Sequence, residues 1–142
     1  MKIETKFHGI LDITDNQIIE FKHGIPGFED ETKFVILELF EGKEYKVLQS
    51  INQFYVAFIM IDPWIFETEY EFDLNENVIK TLEIESPQDL EIYNILTIPQ
   101  ELSKTTINLL APIVIHQKIK TGMQVVLEGT NYTTKHPVRI EG

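Results

Sequence analysis

The chain has 142 residues, 43% of them hydrophobic and 25% charged, with no cysteine and a formal net charge of -11. That length suits one domain, which buries roughly 68–70% of the surface its unfolded chain exposes and needs no covalent staple. The missing cysteines exclude disulfides and thiolate metal sites, and a chain with one arginine and scattered lysines is a poor binder of nucleic acid or an anionic membrane, both of which call for clustered cations.

No long apolar stretch follows Met1-Lys2-Ile3-Glu4-Thr5-Lys6. The apolar runs Ala57 to Ile61 and Leu109 to Ile115 fall far short of the roughly 20 residues that span a bilayer. A cytoplasmic protein is expected, which makes the Asn131-Tyr132-Thr133 sequon a chance match.

Ile, Val, Phe and Tyr dominate the apolar set and favour pleated, half-buried surfaces. In chain order, His23-Gly24-Ile25-Pro26-Gly27 is a turn, and Glu29 to Thr32 is expected to add one turn of helix. Phe34 to Leu39 and Tyr45 to Ser50 read as strands joined at Glu41-Gly42-Lys43, with Val56 to Ile61 as a third. Glu67, Glu69, Glu71 and Asp73 then alternate with Thr68, Tyr70 and Phe72. As a strand, this segment sets four carboxylates on one face and aromatics on the other. Leu74, Val78, Ile79 and Leu82 recur at helical spacing, with Asp73 or Asn75 to cap and Glu76 near the N-terminus. A short helix over Asn75 to Glu83 follows.

Ser86-Pro87-Gln88-Asp89 is a loop, and no linker or repeat divides the chain. Beyond it, Leu90, Ile92, Leu96 and Ile98 share one parity, with Glu91, Tyr93 and Thr97 on the other. Ile113 and Ile115 follow Pro112, and His116 is expected to return to the surface. Lys120-Thr121-Gly122 predicts a hairpin turn in which Gly122 supplies the unusual backbone angle. Met123, Val125 and Leu127 alternate with Gln124 and Glu128. The expected fold is all-β and mainly antiparallel: a barrel-like domain over residues 1–142, built of many short strands with one or two short helices.

Charge is uneven along the chain. From Asp62 to Glu101 there are eleven acidic residues and one lysine, net -10; from Leu102 to Gly142 there are two acids and five bases, net +3. An acidic face of this kind steers encounter with a basic partner, and equally well serves as a solvated surface.

Catalytic motifs are missing. Serine occurs only at 50, 86 and 103, with no Gly-x-Ser-x-Gly elbow, and the histidines at 8, 23, 116 and 136 share no ligand spacing. The turn at Gly24 to Gly27 contains a proline and lacks the Lys and Ser/Thr of a phosphate cradle. The Glu67 to Asp73 series admits a cation site, an acidic docking strip or the wet face of a strand. The cation site ranks last, because such sites mix carboxylates with carbonyls around a sharp loop. Trp64, in Asp62-Pro63-Trp64-Ile65-Phe66, is either a core residue or an anchor at the edge of the acidic face. The candidate partner-binding residues are Trp64, Glu67, Glu69, Glu71 and Asp73. No catalytic residue, cofactor or metal is expected.

Several segments together resemble the flagellar assembly factor FliW family: Ile3-Glu4-Thr5-Lys6-Phe7-His8-Gly9, Gly24-Ile25-Pro26-Gly27-Phe28, Phe34-Val35-Ile36-Leu37, Val47-Leu48-Gln49-Ser50, Asp62-Pro63, and Tyr70-Glu71-Phe72-Asp73-Leu74. Thr105 to Ile115, Tyr132 and Lys135-His136-Pro137 complete a collinear match across nearly the whole chain, with Trp64-Ile65-Phe66 differing in detail. The resemblance implies an all-β barrel and a partner switch without catalysis. Proteins of that family bind CsrA, an RNA-binding repressor of flagellin translation, and also flagellin, which competes for them. The rival expectations are a small ligand-binding barrel or enzyme, and a flagellin chaperone that ignores CsrA.

Overall fold

The computed structural model describes residues 1–139. Eleven short strands and one α-helix are present among them: β1 (Lys2–Glu4), β2 (Ile10–Asp12), β3 (Ile19–Glu20), β4 (Lys33–Glu38), β5 (Lys46–Ser50), β6 (Ala57–Ile61), α1 (Glu76–Thr81), β7 (Leu90–Thr97), β8 (Thr106–Ile107), β9 (Ile113–His116), β10 (Thr121–Gln124) and β11 (His136–Pro137). Seven of the strands close a ring in the order β3-β4-β5-β6-β7-β9-β10 and back to β3. All its pairings are antiparallel except β10 on β3, which meet in parallel with Thr121 opposite Glu20. Closure removes the edges that an open sheet leaves exposed.

Period-2 alternation sorts side chains between the two surfaces of the ring. Phe21, Phe34, Leu48, Met60, Ile113 and Ile115 point inward and fill the barrel with side chains. The Phe21 and Phe34 rings meet edge-on at 5.1 Å. The opposite parity feeds a larger core outside the ring, where Ile61, Leu96 and Val114 pack with Tyr70, Val78 and Leu82. A third, smaller core forms where the β1–β2 hairpin lays Ile3, with Ile13 beside it, on Val35 of β4. β7 has apolar groups on both faces for this reason: Tyr93 and Ile95 join the barrel core, while Leu90, Ile92 and Leu96 join the outer one.

The expected strands at Phe34–Leu39, Tyr45–Ser50, Val56–Ile61 and Leu90–Ile98 are β4, β5, β6 and β7, and the expected helix is α1, with Asn75 as its cap. Four local expectations are corrected. Glu29 to Thr32 is not helical: the Glu31 amide donates to Phe28, closing one turn, and the Thr32 carbonyl is drawn off to accept from Phe21. His116 does not return to the surface, since β9 is paired on both edges there, with Leu90 and with Thr121, and the side chain is buried.

At the β9–β10 turn the left-handed residue is Lys120, at φ 53°, not Gly122. Gly122 is needed for space: a Cβ there would lie 2.6 Å from the Phe21 ring. Finally, Glu67 to Asp73 is not a strand. A turn closed by the Tyr70 amide on the Glu67 carbonyl, at 3.1 Å, breaks the alternation after two residues.

Candidate protein-binding groove

The segment between β6 and α1 is positioned by local caps. An Asp62 Oδ1 atom accepts from the Trp64 amide at 2.9 Å and starts a single 3-10 turn over Pro63–Ile65, where proline at the first position fits the fixed φ of a helix start. After the Glu67–Tyr70 turn, Tyr70 enters the outer core, only 3% exposed. Its hydroxyl donates to the Leu109 carbonyl at 2.6 Å and accepts from Asn94 Nδ2 at 3.2 Å. The Trp64 indole N–H donates to the Tyr70 carbonyl at 2.8 Å, and the Tyr132 hydroxyl accepts from the Glu71 amide at 3.0 Å. Around Tyr70 the rings of Trp64, Phe72 and Tyr132 lie 5.6, 5.2 and 4.8 Å away, centroid to centroid. Edge-on and tilted contacts at these separations add attraction beyond area burial. These hydrogen bonds and ring contacts tie the loop to the outer core as one wall of the site.

α1 forms the next side. Asn75 Oδ1 accepts from the Val78 amide at 2.9 Å, satisfying one of the free donors at the helix start. Val78 and Leu82, one turn apart, are buried, while Ile79 beside them stays 38% exposed.

Between the loop, α1 and the first half of β7 lies a groove of about 820 Å³. Its floor is apolar, with Phe72, Leu74, Ile79, Ile84 and Ile92 among the contributors, and Trp64 stands at one side. Four carboxylates line it, from Asp62, Glu71, Asp73 and Glu91, and none of its lining residues is Lys, Arg or His.

Two tyrosines keep their protons well into alkali. Burial pushes the Tyr70 hydroxyl up to about 12, with Tyr132 adding to the rise and the Asn94 hydrogen bond opposing it. Burial also raises Tyr93, reinforced by the Glu91 carboxylate to which it donates a hydrogen bond and by the charge of Asp62. Both are neutral donors at neutral pH. The arrangement offers an apolar trough with a negative rim, which suits a surface that is apolar at its centre and cationic around it. Among the described residues, no group of three His, Asp or Glu side chains is placed to hold a metal ion, and no helix is long and apolar enough to cross a membrane.

Of the five residues singled out in the sequence, the fold brings Trp64, Glu71 and Asp73 to the groove. Glu67 turns away and lies 3.9 Å from His136, and Glu69 projects into solvent at the turn. Asp62 and Glu91 were missed as rim residues. Asp62 reads locally as a turn residue, and Glu91 as the wet side of an alternating strand. The signal for the floor was present in Ile79, an apolar residue just off the Val78–Leu82 face of a short helix.

A family model described as FliW protein matches residues 2–138. The flagellar assembly factor FliW of Bacillus subtilis (strain 168) is 47% identical over 138 residues, covering 97% of this chain and 96% of the relative. The flagellar assembly factor FliW of Clostridium novyi (strain NT) is 39% identical over 142 residues, covering 100% and 99%. A crystal structure of the flagellar assembly factor FliW superposes with a TM-score of 0.91 at 43% identity, covering 96% of both chains. Barrel, outer core and sequence therefore agree over almost the whole length, and the chain belongs to the FliW family of flagellar assembly factors.

Proposed function

We propose that this chain is a partner-switching assembly factor of the cytoplasm: it binds CsrA, antagonises the repression of flagellin mRNA, and is withdrawn from CsrA when flagellin occupies it. The observation that carries the reading is the acid-rimmed apolar groove, whose four carboxylates meet no cation among its lining residues. A protein that holds RNA phosphates presents positive charge. A partner bearing unpaired carboxylates is attracted to that protein, and once docked it repels the RNA backbone without needing to fill the RNA site.

The corrected geometry sharpens the test. Glu71→Lys with Asp73→Lys reverses two rim charges, whereas Glu67→Lys with Glu69→Lys changes charge by the same amount outside the groove. The first pair is expected to weaken CsrA binding about tenfold or more at low salt, since each reversal replaces an attraction with a repulsion, and to flatten the salt dependence. The second pair is expected to act only through net charge and to cost less. Equal effects from the two pairs sink the groove reading. For the switch itself, CsrA is titrated onto the protein and flagellin added, with size-exclusion chromatography following the complexes. CsrA retained equally with and without flagellin refutes the exchange.

A further inference from the structure

Trp64 lines the acidic groove and stays 38% exposed there, although it is the largest apolar side chain in the protein. Its orientation is fixed. The indole N–H is held by the Tyr70 carbonyl at 2.8 Å, and the Tyr70 ring packs against it at 5.6 Å. Two carboxylates are placed by the same contacts. Asp62 accepts from the Trp64 amide at 2.9 Å, and Glu71 follows the residue whose carbonyl holds the indole. Both line the groove beside Trp64, and neither forms a salt bridge among the described residues. Glu91, by contrast, is engaged by the Tyr93 hydroxyl.

An aromatic face attracts a cation that lies within about 6 Å of the ring centroid, and tryptophan does so best. The two protein cations differ in how they use such a place. A guanidinium is planar and weakly hydrated, so it stacks on the ring while its fork of N–H donors reaches carboxylates. An ammonium is a compact, strongly hydrated point charge that gains less from the flat surface. A second groove, of about 610 Å³, opens beside Ile95 to Ile98 of β7 and gives the contrast. Its Phe7 ring is 43% exposed, but Lys6 Nζ already lies 5.6 Å from the ring centroid and no carboxylate lines the groove. An incoming cation is repelled there and attracted at Trp64.

We infer that Trp64, Asp62 and Glu71 form a receptor for one arginine side chain of the basic partner, and that they select arginine over lysine at that position. The guanidinium lies along the indole, and its N–H groups donate to the two carboxylates. The inference rests on the proposed docking of a basic protein in this groove and names the side chain that is seated there.

The probes are N-acetyl-arginine amide and N-acetyl-lysine amide, titrated onto the full chain at constant ionic strength. Binding is read from the emission of Trp64, the sole tryptophan, and from backbone amide shifts in NMR. The arginine probe is expected to saturate with shifts centred on Trp64 and Glu71, and the lysine probe to bind at least about threefold more weakly. Asp62→Asn with Glu71→Gln keeps an oxygen to accept from the Trp64 amide but removes both charges, and is expected to weaken the arginine probe about tenfold. Trp64→Leu, followed by the amide shifts, is expected to abolish the preference for arginine. Equal binding of the two probes, an arginine response that survives the double substitution, or no saturation overturns the receptor. Shifts centred on Ala57–Ile59 instead put the arginine in the second groove and overturn it as well. The groove reading fails separately: if Glu71→Lys with Asp73→Lys still weakens CsrA binding while the probes do not discriminate, the docking stands and the arginine receptor falls.

Discussion

Tyr70→Phe removes one oxygen from the centre of the loop wall and leaves the ring in place. The hydroxyl lies between the Leu109 carbonyl at 2.6 Å and Asn94 Nδ2 at 3.2 Å. Asn94 is fully buried and its Oδ1 already lacks a partner, so the site has no spare hydrogen bonds to rearrange. With the hydroxyl gone, the Leu109 carbonyl loses its side-chain donor, and Asn94 Nδ2 keeps only the Asn108 carbonyl at 2.6 Å. An acceptor left unpaired in the interior costs about 1–3 kcal/mol. For a chain of this length the entropy of unfolding near 60 °C is roughly 300 cal/mol/K, so Tm is expected to fall by about 3–10 °C.

The same substitution has a pH signature that a packing defect lacks. Tyr70 ionises near 10 in the unfolded chain, but burial holds it up to about 12 in the folded one. A group raised in this way contributes its full stability below the unfolded value and loses it as pH rises towards the folded value. The wild type thus forfeits up to about 2–3 kcal/mol between pH 10 and 12 through this group. The phenylalanine variant has no such titration. It is expected to be less stable at pH 8, to fall less steeply above pH 10, and to approach the wild type near pH 12, with Tyr93 still imposing a shared decline. Urea unfolding followed by the fluorescence of Trp64, the sole tryptophan and a direct neighbour of Tyr70, measures both legs. A constant gap between the two proteins across pH 8 to 12, or a Tm change under about 1 °C, refutes the assignment.

Two further substitutions test the scaffold. Gly122→Ala puts a methyl 2.6 Å from a Phe21 ring that is completely buried at the barrel centre, so a loss of about 1–3 kcal/mol is expected. Phe21→Leu in the same chain is expected to recover part of that loss in a double-mutant cycle. Asn75→Ala removes the oxygen that caps α1 and is expected to cost about 1 kcal/mol in urea unfolding. CsrA affinity should fall with it, because Ile79 of that six-residue helix contributes to the groove floor.

The strands that proved easiest to read were those whose register is local. β4 and β5 are joined across Glu41-Gly42-Lys43, where Gly42 takes φ 74°, and they pair from Phe34–Ser50 to Glu38–Lys46 as a simple hairpin. α1 was legible because its cap and its buried Val78–Leu82 pair lie within eight residues of one another. The acidic segment was not legible. Glu-x-Glu-x-Glu-x-Asp alternates like a strand, and nothing local contradicts that. What overrides it is distant: Tyr70 is fixed by a carbonyl 39 positions away, and the Glu71 amide by a hydroxyl 61 positions away. His116 and Gly122 failed for a related reason. Their environments are set by ring closure, which buries the end of β9 between two strands and brings Phe21 against β10.

The two grooves divide β7 between them, Leu90 to Tyr93 lining the acidic one and Ile95 to Ile98 the other, with buried Asn94 at the boundary. In the proposed exchange, that division bears on how a second partner would remove the first. Were both partners held in the acidic groove, competition would be strict, and the apparent Kd for CsrA would rise in proportion to the competitor without limit. When each takes its own groove, the competitor acts through β7 and the Tyr70–Asn94 bond. The apparent Kd then climbs only to a ceiling set by the coupling free energy, typically about 1–3 kcal/mol, or roughly 5–150-fold. The two grooves differ in lining, one with four carboxylates and the other with Lys6 as its one charge, so a second partner is given room beside the first. A plateau in CsrA affinity at saturating flagellin is therefore expected, together with a ternary complex on size exclusion. An unlimited linear rise with no ternary species would place both partners in the acidic groove. Asn94→Leu separates the cases further: it leaves the carboxylate rim in place but cuts the link to Tyr70, so the ceiling falls in the coupled case and is unaffected in the strictly competitive one.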